Sequence, residues 1–299
     1  MVDKTGLTGV SEKSRERLLR VLNEPGFGGQ IPASDAKALA DTEGRTVDDL
    51  MTELLPLAQT YARPPLSNYR VGALVRGASG SLYLGANLEI AGQALGFAVH
   101  AEQSALSNAY MHDEQGVDSM AVSAAPCGLC RQFLTELSPE GEILVLMAGR
   151  PPVPLSSLLP MAFGPKDLGL RHGAFPVRQV ELALSHGAPD HLTAAALAAA
   201  RKSYAPYTKA HSGIAIGTQG GRLYKGSYIE NAAFNPSLPP FQVALASLFL
   251  AGEDSGAISR VVLVEVKGAA MSHASVTHVV LGAIAPAVKL QVMTATMRA

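Results

Sequence analysis

The sequence predicts an α/β protein: a three-layer α/β/α sandwich around a mixed sheet, present twice, with a small helical region in front. Three observations carry this. Apolar patterns of helical and strand period follow one another as helix, strand, strand, helix, strand, helix, strand, the order that covers both faces of a sheet. The pattern then recurs in one register: Gly72 and Gly213 lie 141 residues apart, and the same offset pairs Pro65 with Pro206, Gly80 with Gly221, Leu82 with Leu223, Tyr83 with Tyr224, Gly85 with Gly226 and Glu89 with Glu230. So many identities at one offset mark a duplicated unit. Between the copies, residues 150–165 are rich in proline and suit an extended connection.

The elements follow in chain order. Residues 1–48 are expected to form the helical region. In it, residues 11–22 set charges around Leu18, Leu19 and Leu22, and Ser34 and Asp35 are expected to cap a short second helix. The first core spans 49–150. It is introduced by a helix that starts at the cap Thr46-Val47-Asp48-Asp49, presents Leu50, Leu54, Leu55, Leu57 and Ala58, and runs to about Tyr61, where Pro64-Pro65 stops it. Strands at 71–76 and 81–86 flank the turn Gly77-Ala78-Ser79-Gly80 and form a hairpin. A helix over 99–110, a strand at 120–124, a helix over 127–137 and a strand at 142–147 complete it. A linker over 151–189 leads to the second copy, 190–299.

The chain has 299 residues, enough for two or three domains. Its 24 Lys and Arg balance 25 Asp and Glu, so no general attraction draws it to nucleic acid or an anionic membrane. Charged residues make up only 16%, which suggests surface covered between subunits. The polar start and the lack of a long apolar run point to a cytoplasmic protein. Cys127 and Cys130 are the only cysteines. Two thiols at this spacing in a reducing compartment indicate a metal site or a redox pair.

Three segments converge on one chemistry: Asn87-Leu88-Glu89 at a strand end, His100-Ala101-Glu102 opening a helix, and Pro126-Cys127-Gly128-Leu129-Cys130 opening another. Cysteines at i and i+3 share a helical face, and unpaired N–H groups at a helix start stabilise thiolate. Zinc takes thiolate and imidazole, and a catalytic zinc keeps one of four positions for water, so His100, Cys127 and Cys130 make a suitable three. At the offset of 141, His100, Ala101 and Glu102 fall on Phe241, Gln242 and Val243, and the cysteines fall on Gly268 and Met271. The chain therefore reads as an active copy followed by a degenerate one. A dithiol oxidoreductase, a structural zinc protein and a polynucleotide deaminase remain as alternatives; the balanced charge speaks against the last.

H-x-E followed by P-C-x-x-C is the pattern of zinc deaminases. With residues 65–73, 85–89, 99–105, 126–133 and 162–168, it makes the chain resemble the long, two-domain, dimeric cytidine deaminases over nearly its whole length. The resemblance implies one Zn²⁺ per subunit on His100, Cys127 and Cys130, and Glu102 as proton carrier. It also implies substrate contacts from Asn87 and Glu89 to the ribose 3′-hydroxyl, and from Tyr69, Ala101 and Phe163. The expected reaction is hydrolytic deamination of cytidine and 2′-deoxycytidine in pyrimidine salvage. The partners it implies are a nucleoside and a second copy of the chain, with Phe163 and Phe234 reaching toward the partner's site.

Overall fold

Ser11 caps the first helix by accepting from the Ser14 amide, and α1 (Glu12–Leu22) follows. A short strand, β1 (Gln30–Ile31), leads into α2 (Ala33–Glu43). Here the expected cap is corrected. The helix starts ahead of Ser34 and Asp35, at Pro32, whose fixed φ suits a helix entry. Asp35 sits in the first turn and pairs with Arg17 Nε at 2.7 Å instead. The helix predicted from Thr46 is divided into α3 (Val47–Glu53) and α4 (Leu55–Thr60). Pro56 is the reason: without an N–H it cannot continue the helical ladder, but it is tolerated in the first turn of a new one.

The computed structural model describes residues 4–7, 9–137 and 142–298. The first copy continues with β2 (Gly72–Gly77), β3 (Leu82–Ala86), α5 (Ala101–Met111), β4 (Val117–Val122), α6 (Gly128–Thr135) and β5 (Leu144–Leu146). The stretch expected to be extended contains β6 (Val153–Pro154), the single turn α7 (Leu155–Leu158) and β7 (Leu182–Leu184). The second copy follows with α8 (His191–Lys202), β8 (Ser212–Thr218), β9 (Leu223–Ser227), α9 (Pro240–Leu250), β10 (Ile258–Val266), α10 (Ala274–Ile284) and β11 (Leu290–Met297).

Two mixed sheets result, ordered β1-β3-β2-β4-β5-β6 and β7-β11-β10-β8-β9. In each, the hairpin pairs antiparallel, and one parallel pair, β4 with β5 or β10 with β11, needs a helical crossover. Strand alternation sorts the side chains into layers. Ala73, Val75, Met120 and Val122 of the first sheet and Ile214, Ile216, Val261 and Leu263 of the second join one central core with α5, α6, α9 and α10. Leu74 and Ala121 turn the other way, onto the N-terminal helices. Ala215, Val262 and Val264 turn outward onto α8. Each copy is thus a helix, sheet, helix sandwich, and the two share their inner helical layer.

The repeat register needs one correction. In both copies a glycine lets a helix lie on the hairpin: a Cβ at Gly85 would overlap the Ala105 amide and the Ala101 carbonyl, and one at Gly226 would overlap the Ala244 amide and the Pro240 carbonyl. The strands match at 141 residues, but α5 and α9 match at 139, the separation of Ala101 and Pro240. Two residues are missing from the connection between Ile229 and Leu238 relative to the one between Leu88 and Val99, each pair forming an antiparallel bridge. His100 and Glu102 therefore correspond to Pro239 and Phe241. The N-cap of α6, Cys127, corresponds to the N-cap of α10, His273. The second copy still lacks the imidazole, carboxylate and thiols together.

Candidate metal centre and active site

The chain enters α5 through paired backbone bonds between Val99 and Leu88, which fix where His100 stands. His100 is the N-cap, and its amide donates to Gln103 Oε1 at 3.3 Å. Gln103 in turn donates from Nε2 to the Pro236 carbonyl of the second copy. Cys127 is the N-cap of α6 and Cys130 lies in its first turn, so both sulfurs sit at the positive end of the helix. Pro126 stands one residue ahead of the cap. Arg131 holds this entry by donating to the Pro126 and Leu158 carbonyls.

His100 Nδ1 lies 3.4 Å from Cys127 Sγ and 3.3 Å from Cys130 Sγ, and the sulfurs are 3.6 Å apart. A tetrahedral zinc with ordinary bond lengths requires about 3.8 Å between two sulfurs and about 3.6 Å between sulfur and nitrogen. The donor set therefore fits zinc in chemistry and in size. Among the described residues, this is the one group of three or more His, Cys, Asp or Glu side chains so arranged.

Hydrogen bonding with Cys130 draws the Cys127 thiol down to about 5, helped by His100 and the Leu129 and Cys130 amides against a burial penalty. That bond, burial and the nearby Glu102 push the Cys130 thiol up. Glu102 is 4% exposed on the first turn of α5. Burial raises its pKa above the ordinary carboxylate value, against the pull of its own amide, the Cys130 thiol and His100. A buried carboxyl with a raised pKa is thus set beside a metal-type donor set. Ala101, before it, is fully buried.

Asn87 and Glu89 come together with the 66–71 loop. Asn87 Oδ1 accepts from the Val71 amide, and its Nδ2 donates to the Tyr69 carbonyl, each at 2.9 Å. Glu89 Oε2 accepts from the Leu66 and Ser67 amides, and Oε1 from the Ser67 hydroxyl at 2.5 Å. The second copy repeats this: Glu230 accepts from the Tyr207 and Thr208 amides and the Thr208 hydroxyl. Pinning the loop is therefore common to both carboxylates. What distinguishes the first copy is Asn87, whose counterpart is Tyr228.

Tyr69, Phe163 and Phe234 are all exposed, and Phe234 has a positive φ of 61°. The Phe163 carbonyl accepts from Gln132 Nε2 on α6, which also contacts Asn231 Oδ1. The sequence reading assigned no role to Ser67, Gln132 or Glu136. Ser67 is detectable from the repeat, because the offset of 141 places it on Thr208, another hydroxyl. Glu136 is fully buried and its carboxylate bonds only to residues of the second copy, a relation that no local spacing encodes.

No helix among the described residues is long and apolar enough to cross a membrane. Residues 45–146 and 155–278 each match a family described as the cytidine and deoxycytidylate deaminase zinc-binding region. A cytidine deaminase of Vibrio atlanticus is 44% identical over 260 residues, covering 87% of this chain and 88% of its own. One of Pectobacterium carotovorum is 42% identical over 269 residues, with 87% and 88% covered. A solved cytidine deaminase of Mycobacterium tuberculosis aligns at 28% identity with 39% of this chain and 96% of its own, with a TM-score of 0.36. With both halves matched and relatives this similar over most of their length, the chain belongs to the cytidine and deoxycytidylate deaminase family of zinc-binding enzymes.

Proposed function

We propose that this enzyme hydrolyses cytidine and 2′-deoxycytidine to uridine and 2′-deoxyuridine, releasing ammonia, as a cytoplasmic homodimer in pyrimidine salvage. The observation that carries the reading is the triad of His100 Nδ1 and two sulfurs, 3.3 to 3.6 Å apart, with the buried Glu102 on the turn beside it. Relatives at 44% and 42% identity carry the name cytidine deaminase. The working domain map is 1–48, 49–150, 151–189 and 190–299, with β7 of the third segment lending an edge strand to the second sheet.

Zinc, when held by His100, Cys127 and Cys130, supplies Lewis-acid activation that brings the pKa of water toward neutrality. Glu102 does the proton work. Its carboxylate takes the proton of the attacking water and delivers it to ring N3, which makes C4 electrophilic. It then carries the second proton to the departing amine as the C4–N bond breaks. Burial raises its pKa above the ordinary carboxylate value, the direction that suits a group asked both to accept and to give a proton.

Asn87 and Glu89 suit a sugar hydroxyl. Asn87 Nδ2 uses one of its two N–H groups on Tyr69, and Glu89 Oε1 accepts one of the two bonds open to it. One donor and one acceptor position remain, which a 3′-hydroxyl satisfies together. Tyr69 and Ala101 are assigned to the pocket wall. The exposed Phe163 and Phe234 are assigned to the partner's site, an arrangement that would cover apolar surface otherwise left to water.

The test is the ultraviolet absorbance of cytidine and 2′-deoxycytidine mixed with purified protein, before and after zinc removal. Conversion to the uracil chromophore that stops on removal and returns with zinc supports the reading. No spectral change with zinc-loaded protein rejects it.

A further inference from the structure

The second copy, which lacks the donor set of the first, grips the helix of Cys127 and Cys130 at its far end. Glu136 caps the C-terminus of α6, six residues and roughly 9 Å along the axis from Cys130. It is fully buried. Its Oε1 accepts from the hydroxyls of Tyr204 at 2.7 Å and Tyr207 at 2.6 Å, and its Oε2 from the Ala232 amide at 2.8 Å. All three donors belong to the second copy. One turn earlier, the Gln132 carbonyl accepts from Asn231 Nδ2 at 3.1 Å, again across the copies.

As a source of stability this is a poor arrangement. No cation pairs with Glu136 among the described residues, and a carboxylate at a helix C-terminus opposes the helix dipole. Apolar side chains would fill the space at lower desolvation cost. What the carboxylate provides is direction, since three donors from separate points of the second copy fix the helix end both along and across its axis. The first copy has no such pair of hydroxyls: Arg63 and Leu66 stand where Tyr204 and Tyr207 do.

We propose that Glu136 is a positioning residue, through which Tyr204, Tyr207 and Ala232 of the second copy set the seat of α6 and so the place of Cys130 Sγ opposite His100 on α5. The duplicated copy, which has lost its own metal ligands, then acts as the template against which the remaining site is built. The inference rests on the zinc reading of the triad.

The test is the rate at which zinc-loaded full-length protein gives up its metal to an excess of a chromogenic chelator. The variants are Tyr204→Phe with Tyr207→Phe, which keep the rings and remove both hydroxyls. The control is Ser227→Ala, which removes a buried second-copy bond to the Ala199 carbonyl away from α6. We expect the double variant to release zinc about tenfold faster than wild type, the factor that about 1.4 kcal/mol makes, while the control loses thermal stability but keeps the wild-type rate. Wild-type release from the double variant overturns the proposal, as does equal acceleration in the control. If the double variant does not fold, Tyr207→Phe alone, at a half-buried position, carries the same comparison with an intermediate acceleration expected. A wild-type chain that binds no zinc at all would instead reject the underlying metal reading.

Discussion

Gly85 on β3 lies so close to Ala105 on α5 that a Cβ on the glycine would overlap the alanine amide. The helix that begins with His100 and carries Glu102 is therefore seated directly on strand backbone. Gly226 and Ala244 repeat the contact in the second copy.

Gly85→Ala is expected to push α5 off the sheet. Overpacking against rigid backbone costs about 1–3 kcal/mol and more where nothing can yield. Urea unfolding should show a loss at or above the top of that range, and the folded fraction should hold zinc less tightly. A variant of wild-type stability would mean that the helix does not rest on this glycine.

Glu102→Gln keeps the shape of the side chain and removes its ability to take a proton. Zinc content should stay at the wild-type level while kcat falls by about 10²–10⁴, the usual span for losing a positioned acid-base group. Near-normal kcat in a zinc-loaded variant would remove Glu102 from the chemistry.

Asn87→Ala deletes the remaining N–H assigned to the sugar hydroxyl, along with the ties to Val71 and Tyr69. KM for cytidine should rise about tenfold or more, in line with about 1.4 kcal/mol per decade, with zinc content unchanged. The rise should vanish for a nucleoside lacking the 3′-hydroxyl. An equal rise for that analogue would assign Asn87 to loop architecture alone.

The metal donors were legible in the sequence because zinc chemistry demands particular residue types at particular spacings, and Cys127 and Cys130 are the only thiols in the chain. The strands were legible because alternation in Ala73-Leu74-Val75 or Ile214-Ala215-Ile216 sends neighbours into different cores. The exact match of the copies was not. A single offset carried through from the hairpin to the helix hides the two residues missing before Leu238, and only the glycine seats and the paired bridges reveal them. Nor was the break at Pro56, since the apolar spacing of Leu50, Leu54 and Leu57 runs through it unaltered. Glu136 was invisible for a deeper reason: its partners lie 68 to 96 residues away and gain meaning only once the copies dock.

His273 stands in the second copy where Cys127 stands in the first. It is buried against the Tyr228 ring, with centroids 4.3 Å apart, and its amide donates to Glu265. Nothing partners its Nε2 among the described residues. Burial lowers its pKa to about 4. An unfolded chain binds this proton as pH falls through about 6.5, while the folded chain does so only near 4, so the stabilisation is complete above pH 6.5 and is lost on the way down to 4. The whole window amounts to about 3 kcal/mol. Urea midpoints measured at intervals from pH 7 to pH 4.5 should fall for wild type, and His273→Phe should flatten that trend. A variant with the same slope would assign the dependence to other groups.

Zinc stoichiometry measured alongside turnover tests the central claim most directly. Purified protein should contain one zinc per chain, lose cytidine turnover when a chelator strips the metal, and recover it as one equivalent is restored, with Cys127 and Cys130 reactive to thiol reagents only in the stripped state. Full turnover by metal-free protein, or a disulfide between the two cysteines in the active form, would contradict the account.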